Sequence, residues 1–312
     1  MPLVYAAGAK AFARIEDGEA SLSLENIGAR TIAVAPVNPD IVYVGTENDG
    51  IFKSGDGGGS WDRLSGAFHP RITSLAISPV DGTVYAGTEP SSLFVSQDGG
   101  ESWRELEGLK NLPSAPKWSF PPRPWTSHVR AIALSNENPN LIVAGIELGG
   151  VVRSFDGGET WQDQRPGAVA DCHSLATHPK RSSTIYEAGG TGFAESEDFG
   201  DTWRQFTDDL EMRYAWGLAV SREDPDEIYV SAAAGPMRAH GKGFTDAAIY
   251  RRSSGEWTPV LEHLREFPYA LVTDPSGSLY AGFGGGDIHV KENGSWKEVA
   301  RVPGGLDAMA VV

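Results

Sequence analysis

A seven-bladed β-propeller is the fold this sequence predicts: an all-β ring of four-stranded antiparallel blades, filling residues 1–312 as one domain. Three observations carry the prediction. Four segments share the spacing S-x-D-x-G-x-x-W, and short apolar runs of strand length precede each of them. Divided among seven units, the chain gives roughly 45 residues per unit, the length of one propeller blade.

The elements follow in chain order. Leu3-Val4-Tyr5-Ala6-Ala7-Gly8, Ala11 to Ile15 and Ala20 to Leu24 read as the second, third and fourth strands of a blade with no first strand. The missing strand is at the other terminus, in Leu306-Asp307-Ala308-Met309-Ala310-Val311, so joining the two ends closes the ring and removes its free edge. The repeated motif then appears as Ser54, Asp56, Gly58, Trp61; Ser96, Asp98, Gly100, Trp103; Ser154, Asp156, Gly158, Trp161; and Ser196, Asp198, Gly200, Trp203. It describes a hairpin: the Asp carboxylate accepts N–H groups of a tight turn, glycine takes positive φ, and Trp opens the next strand and packs back over the turn. Two weaker units, around Trp257 and Trp296, keep the Trp without the Asp.

Composition fits a turn-rich β protein, with 38 Gly and nine Trp in 312 residues. The net charge of −16 and the lack of a basic run argue against nucleic acid or an anionic membrane as partner. The first residues lack the basic head and apolar stretch of a secretion signal, which gives a cytoplasmic expectation. The lone Cys172 cannot form an internal bridge.

The repeat resembles the Asp-box (BNR) repeat family, which includes sialidases, sortilin-type receptors and photosystem assembly factors. The resemblance implies that Asp56, Asp98, Asp156 and Asp198 are structural and lie away from the ligand face. Sialidases in that family hold the substrate carboxylate with three Arg and use a Tyr nucleophile supported by Glu, with an Asp acid/base. This chain departs from them: it lacks the Arg-Ile-Pro stretch near the N-terminus, reads as seven blades rather than six, and offers no identifiable Asp acid.

The innermost strand of each blade starts at one face, the top. Trp61 to Trp103 and Trp161 to Trp203 each span 42 residues, but Trp103 to Trp161 spans 58 and Trp203 to Trp257 spans 54. The excess falls at about 107–126 and 233–246, both in connections that open onto the top. The first insertion carries Trp118 and Trp125 among prolines, a composition suited to a wall or lid. Aligning the innermost strands on their apolar pair places Arg30, Thr73, Arg130, His173, Trp216, Tyr269 and Asp307 at one level, and Gly28, Arg71, His128, Asp171, Tyr214, Phe267 and Gly305 two residues earlier. Each strand's core repeats while its mouth differs, the signature expected of a site needing different groups at different angles.

The candidate ligand-binding set is therefore Arg30, Arg71, Arg130, His128, His173, Trp216, Tyr269, Trp118 and Trp125, with Glu47, Glu89 and Glu147 at the ends of the second strands. Arginine offers bidentate recognition of a carboxylate or phosphate. His128, His173, Glu89 and Glu147 are the candidate ligands of a divalent metal. Two functions stay open: a funnel for a small polar or anionic molecule or glycan, with hydrolase-like or metal-dependent chemistry as its enzymatic form, or a non-catalytic scaffold that docks a protein or peptide on the top face through Trp118, Trp125 and Trp216.

Overall fold

Alternation of apolar and small residues lets each strand bury both faces, and such a sheet is stable only when stacked between copies of itself. The computed structural model, which describes residues 2–66, 68–122 and 126–312, shows that stacking as seven sheets around a ring. The blades, numbered from the first complete one, begin with the inner strands Ala29–Ala35, Ile72–Ile77, Val129–Leu134, Cys172–His178, Tyr214–Val220, Pro268–Thr273 and Ala308–Val311. Blade 7 is completed by Val4–Ala7, Phe12–Glu16 and Glu19–Ser23, with Val4 paired to Val311 and Ala7 to Ala308, so the C-terminal strand closes the ring as the sequence predicts. Blade 3 alone departs from four strands: its outer edge shrinks to one bridge between Arg153 and Gln162, where the Arg153 guanidinium donates to the Gln162 side chain at 3.0 Å.

The core is divided among the blade interfaces. Seven apolar clusters each join two neighbouring blades, among them Tyr5, Phe12, Val42 and Val44 at the closing interface of blades 7 and 1. Close approach at these interfaces requires glycine. A Cβ on Gly87 would lie 2.7 Å from Val129 Cβ, and one on Gly45 would lie 2.6 Å from Ile72 Cγ2, so the second strand of a blade stays bare where the next blade's inner strand presses on it. No helix among the described residues is long and apolar enough to cross a membrane.

Candidate functional site

Six of the seven inner strands carry a register shift near their top end. The residues left out of the ladder are Arg30, Thr73, Arg130, His173, the Trp216-Gly217 pair and Tyr269. A bulge bends its strand and re-aims the extra side chain. The level at which the sequence varies is thus the level at which the backbone leaves the ladder. Blade 7 has no bulge there; the Asp307 N–H donates to the Ala7 carbonyl at 2.8 Å.

Four of these residues, Arg30, Arg130, Trp216 and Tyr269, line a cavity of about 700 Å³ together with Glu147, Asp171, Tyr214 and Asp307. Leu148 and the two insertions supply its remaining walls. Phe120 and Pro122 come from the first, and the second folds into the helix Pro236–His240, whose Pro236, Met237 and His240 reach the cavity. The Arg130 guanidinium stands 4.4 Å from the Trp216 ring centroid, and Trp216 lies against His173 at 4.4 Å. A hydrogen-bond chain crosses the aromatic side: Tyr214 donates to His240 Nε2 (2.8 Å), His240 Nδ1 donates to the Tyr269 hydroxyl (2.9 Å), and Tyr269 donates to the Ala239 carbonyl (3.3 Å). Packing among these rings holds the His240 imidazole at about 4, below its ordinary range, although its edge is open to the cavity.

The structure separates the remaining residues singled out in the sequence. Arg71 bridges Glu47 and Glu89, the latter at 3.2 Å; Arg30 also holds Glu47, at 2.9 Å; and Thr126 donates to Glu89 at 2.8 Å. Arg71, Glu47 and Glu89 form an ion-pair chain outside the cavity lining. Trp118 packs against the cluster between blades 2 and 3 and donates its indole N–H to Ser114 at 3.1 Å, so Phe120 rather than Trp118 reaches the cavity. Trp125 lies outside the described residues.

The metal-capable cluster keeps two of the four residues read in the sequence, Glu147 and His173, loses His128 and Glu89, and gains Asp171. Glu147, Asp171 and His173 offer ligand atoms within 4.8 Å of one another. Glu89 is occupied by Arg71 and Thr126, and His128 donates Nε2–H to Glu147 at 2.7 Å. Burial works against the Glu147 charge, but the His128 hydrogen bond and the nearby Arg130 outweigh it and lower its carboxyl to about 2. Cys172 is fully buried, which pushes its thiol well up and leaves it unsuited to nucleophilic work.

Away from the cavity, the motif Asp residues serve their own turns. Asp56 Oδ1 accepts Ser54 Oγ–H at 2.7 Å and Ser60 N–H at 2.8 Å, while Oδ2 accepts Ser60 Oγ–H at 2.7 Å. These bonds, that from the Ser60 side chain foremost, lower the Asp56 carboxyl to about 2, and the same pattern recurs at Asp98, Asp156 and Asp198. Residues 152–163 match the BNR/Asp-box repeat family. The chain is an Asp-box repeat propeller.

No curated protein matches the sequence of this Asp-box propeller. Among solved structures it is similar to the GH74 xyloglucanase from Xanthomonas campestris, with a TM-score of 0.75 and 16% identity over 98% of this chain and 52% of that one. It is similar to YCF48 bound to D1 peptide (0.59, 14% identity, 87% and 81% coverage) and to a chain of the nidogen/laminin complex (0.58, 12% identity, 100% and 98% coverage). At these identities the likeness is one of fold. The propeller spans 39–52% of the length of the GH74 enzymes it resembles.

Six lining residues were not singled out one by one in the sequence: Phe120, Pro122, Leu148, Pro236, Met237 and His240. His240 sits in an insertion with no repeat to align it, and Phe120 was overshadowed by the neighbouring Trp residues. Asp171 was visible in the variable rim, two residues before His173, a spacing that puts both on one face of a strand.

Proposed function

We propose that the top-face cavity binds a small anionic, polar molecule such as an acidic sugar. Its negative group would meet Arg30 and Arg130, and its flatter, less polar face would lie on Trp216 and Tyr269. The observation that carries this reading is the ring of bulges: six blades break their ladders at one level, and four of the freed side chains, chemically dissimilar, converge on one cavity. Glu147, held ionised by His128 and Arg130, suits a ligand and not a proton donor, which supports binding more directly than acid-catalysed hydrolysis.

Isothermal titration with glucuronate, galacturonate and their short oligomers, against the matching neutral sugars, tests the reading. Acidic members should bind, and Arg130→Met should weaken them at least about tenfold, the loss of one charge-assisted contact. Equal affinity for neutral sugars, or for the Arg130→Met protein, would overturn it.

A second reading, a docking platform for a peptide or protein, is supported by the apolar mouth. Met237 and Leu148 line the cavity yet are 84% and 44% exposed. It expects Met237→Asp to abolish partner capture while leaving small-molecule titrations unchanged.

A further inference from the structure

We infer that Glu147, Asp171 and His173 form a site for a first-row divalent transition metal at the edge of this cavity. The inference deepens the function proposed above, since the open metal positions would face the same bound molecule.

Proximity is the first ground, because the three ligand atoms lie within 4.8 Å of one another. The tautomer of His173 is the second, independent ground. Its Nδ1 is 2.6 Å from the Ala215 carbonyl oxygen, and a carbonyl only accepts, so Nδ1 carries the hydrogen. In the neutral ring, Nε2 then holds a lone pair. The His173 side chain is fully buried, Nε2 has no hydrogen-bond partner, and it faces Asp171 Oδ2 at 3.4 Å. Asp171 Oδ1 is likewise buried without a hydrogen-bond partner.

A lone pair facing a carboxylate oxygen is repulsive unless a cation lies between them. A shared proton would draw the two atoms to about 2.7–2.9 Å, the length of a charge-assisted bond. A metal with donors at about 2.0–2.2 Å in tetrahedral arrangement sets them about 3.4 Å apart. The observed separation matches the metal. A histidine ligand whose second nitrogen donates to a backbone carbonyl is also held in the orientation that coordination needs. Glu147 is steadied by His128 at 2.7 Å, and Arg130, 3.7 Å from the same carboxylate, offsets part of the negative charge. One imidazole nitrogen with two carboxylates suits Zn, Mn, Fe, Co or Ni, and not Ca, which takes oxygen ligands alone.

The test uses the full chain, stripped with chelator and titrated with Zn²⁺, Mn²⁺ or Co²⁺ in the absence of any organic ligand. One ion per chain should bind, with visible Co²⁺ absorption. Asp171→Asn and His173→Gln should each weaken binding at least about tenfold, while the exposed Glu101→Gln leaves it unchanged. Asp171 is partly exposed, so its variant keeps the test valid if the buried His173 variant unfolds. Failure of the folded wild-type chain to take up an ion, or uptake undiminished in Asp171→Asn, would overturn the site. So would binding of Ca²⁺ or Mg²⁺ only. Metal uptake with no acidic-sugar binding would refute the preceding function and leave this site standing; sugar binding without uptake would do the reverse.

Discussion

Glu187 offers the sharpest quantitative test of how the cavity is supported. It stands in the second strand of blade 4, is 0% exposed, and accepts the Val169 N–H at 2.8 Å. Val169 lies near the end of the connection that presents Asp171 to the cavity, two residues before it. Burial raises the Glu187 carboxyl to about 8; the Val169 and Cys172 hydrogen bonds pull it down and the Asp171 charge pushes it up, each by less. It is therefore mostly protonated in the fold at neutral pH, while the unfolded chain ionises it near 4.5. An acid whose folded value is raised gives its full stability below the unfolded value and loses it as pH climbs to the folded one. At about 1.4 kcal/mol per unit, the loss reaches about 3 kcal/mol at pH 7 and about 5 kcal/mol above pH 8. Glu187→Gln keeps the shape and the acceptor and cannot ionise. Its stability should equal that of the wild type near pH 4.5 and exceed it by about 3 kcal/mol at pH 7, read from denaturant unfolding at a series of pH values. A difference constant from pH 5 to 8 would refute the argument. The same ionisation strains the anchor of Asp171, so cavity binding in the wild type should fall above pH 8 and persist in the variant.

Other positions give simpler outcomes. Gly87→Ala forces a Cβ to 2.7 Å from Val129 and 2.3 Å from Ser74 Oγ, and overpacking of this kind costs about 1–3 kcal/mol. Gly235→Ala, with no atom within 4 Å, should stay within about 0.5 kcal/mol; thermal unfolding of the pair checks both. Ser54→Ala removes the acceptor of the buried Gly58 N–H (2.8 Å) and a donor to Asp56, so it should lose about 1–3 kcal/mol, and an unchanged melting temperature would count against the motif as a turn staple. Tyr269→Phe cuts the link to His240 and to the Ala239 carbonyl, so amide exchange in residues 236–246 should quicken while the inner strands keep their protection.

The fold was legible because its information is repeated. The Ser-Asp-Gly-Trp spacing appears four times, and each copy encodes a turn that satisfies itself locally: the Asp56 carboxylate finds all its partners between Ser54 and Ser60. The strand-end glycines at 45 and 87 repeat for a second reason, since any larger residue would push the next blade away. Ring closure followed from counting strands at the two termini, where Leu3 to Gly8 lacked the partner that Ala308 to Val311 supplies. The reduced outer edge of blade 3 was not readable, because it depends on the Arg153 side chain clasping Gln162 and not on a strand pattern.

The site was legible in position and not in pairing, and the bulges explain both halves. A bulge is a backbone feature that recurs in six blades, so aligning inner strands on their apolar pair finds Arg30, Thr73, Arg130, His173, Trp216 and Tyr269 at one level. Which of them meet depends on side chains reaching between blades, and these obey no repeat. Thr73 and His173 occupy equivalent bulges, yet Thr73 donates to the Val129 carbonyl of the next blade through a short hydroxyl. His173 makes the equivalent bond to Ala215 with one ring nitrogen and has length enough to turn the other toward Asp171. Arg71 and Arg130 likewise look interchangeable in sequence. Glu47 and Glu89 bracket Arg71 and bind it into an ion-pair chain, whereas His128 takes up Glu147 and leaves Arg130 to lie over Trp216. The repeat sets where a side chain starts, and only the neighbouring blade decides whether it is consumed by packing or left facing the cavity.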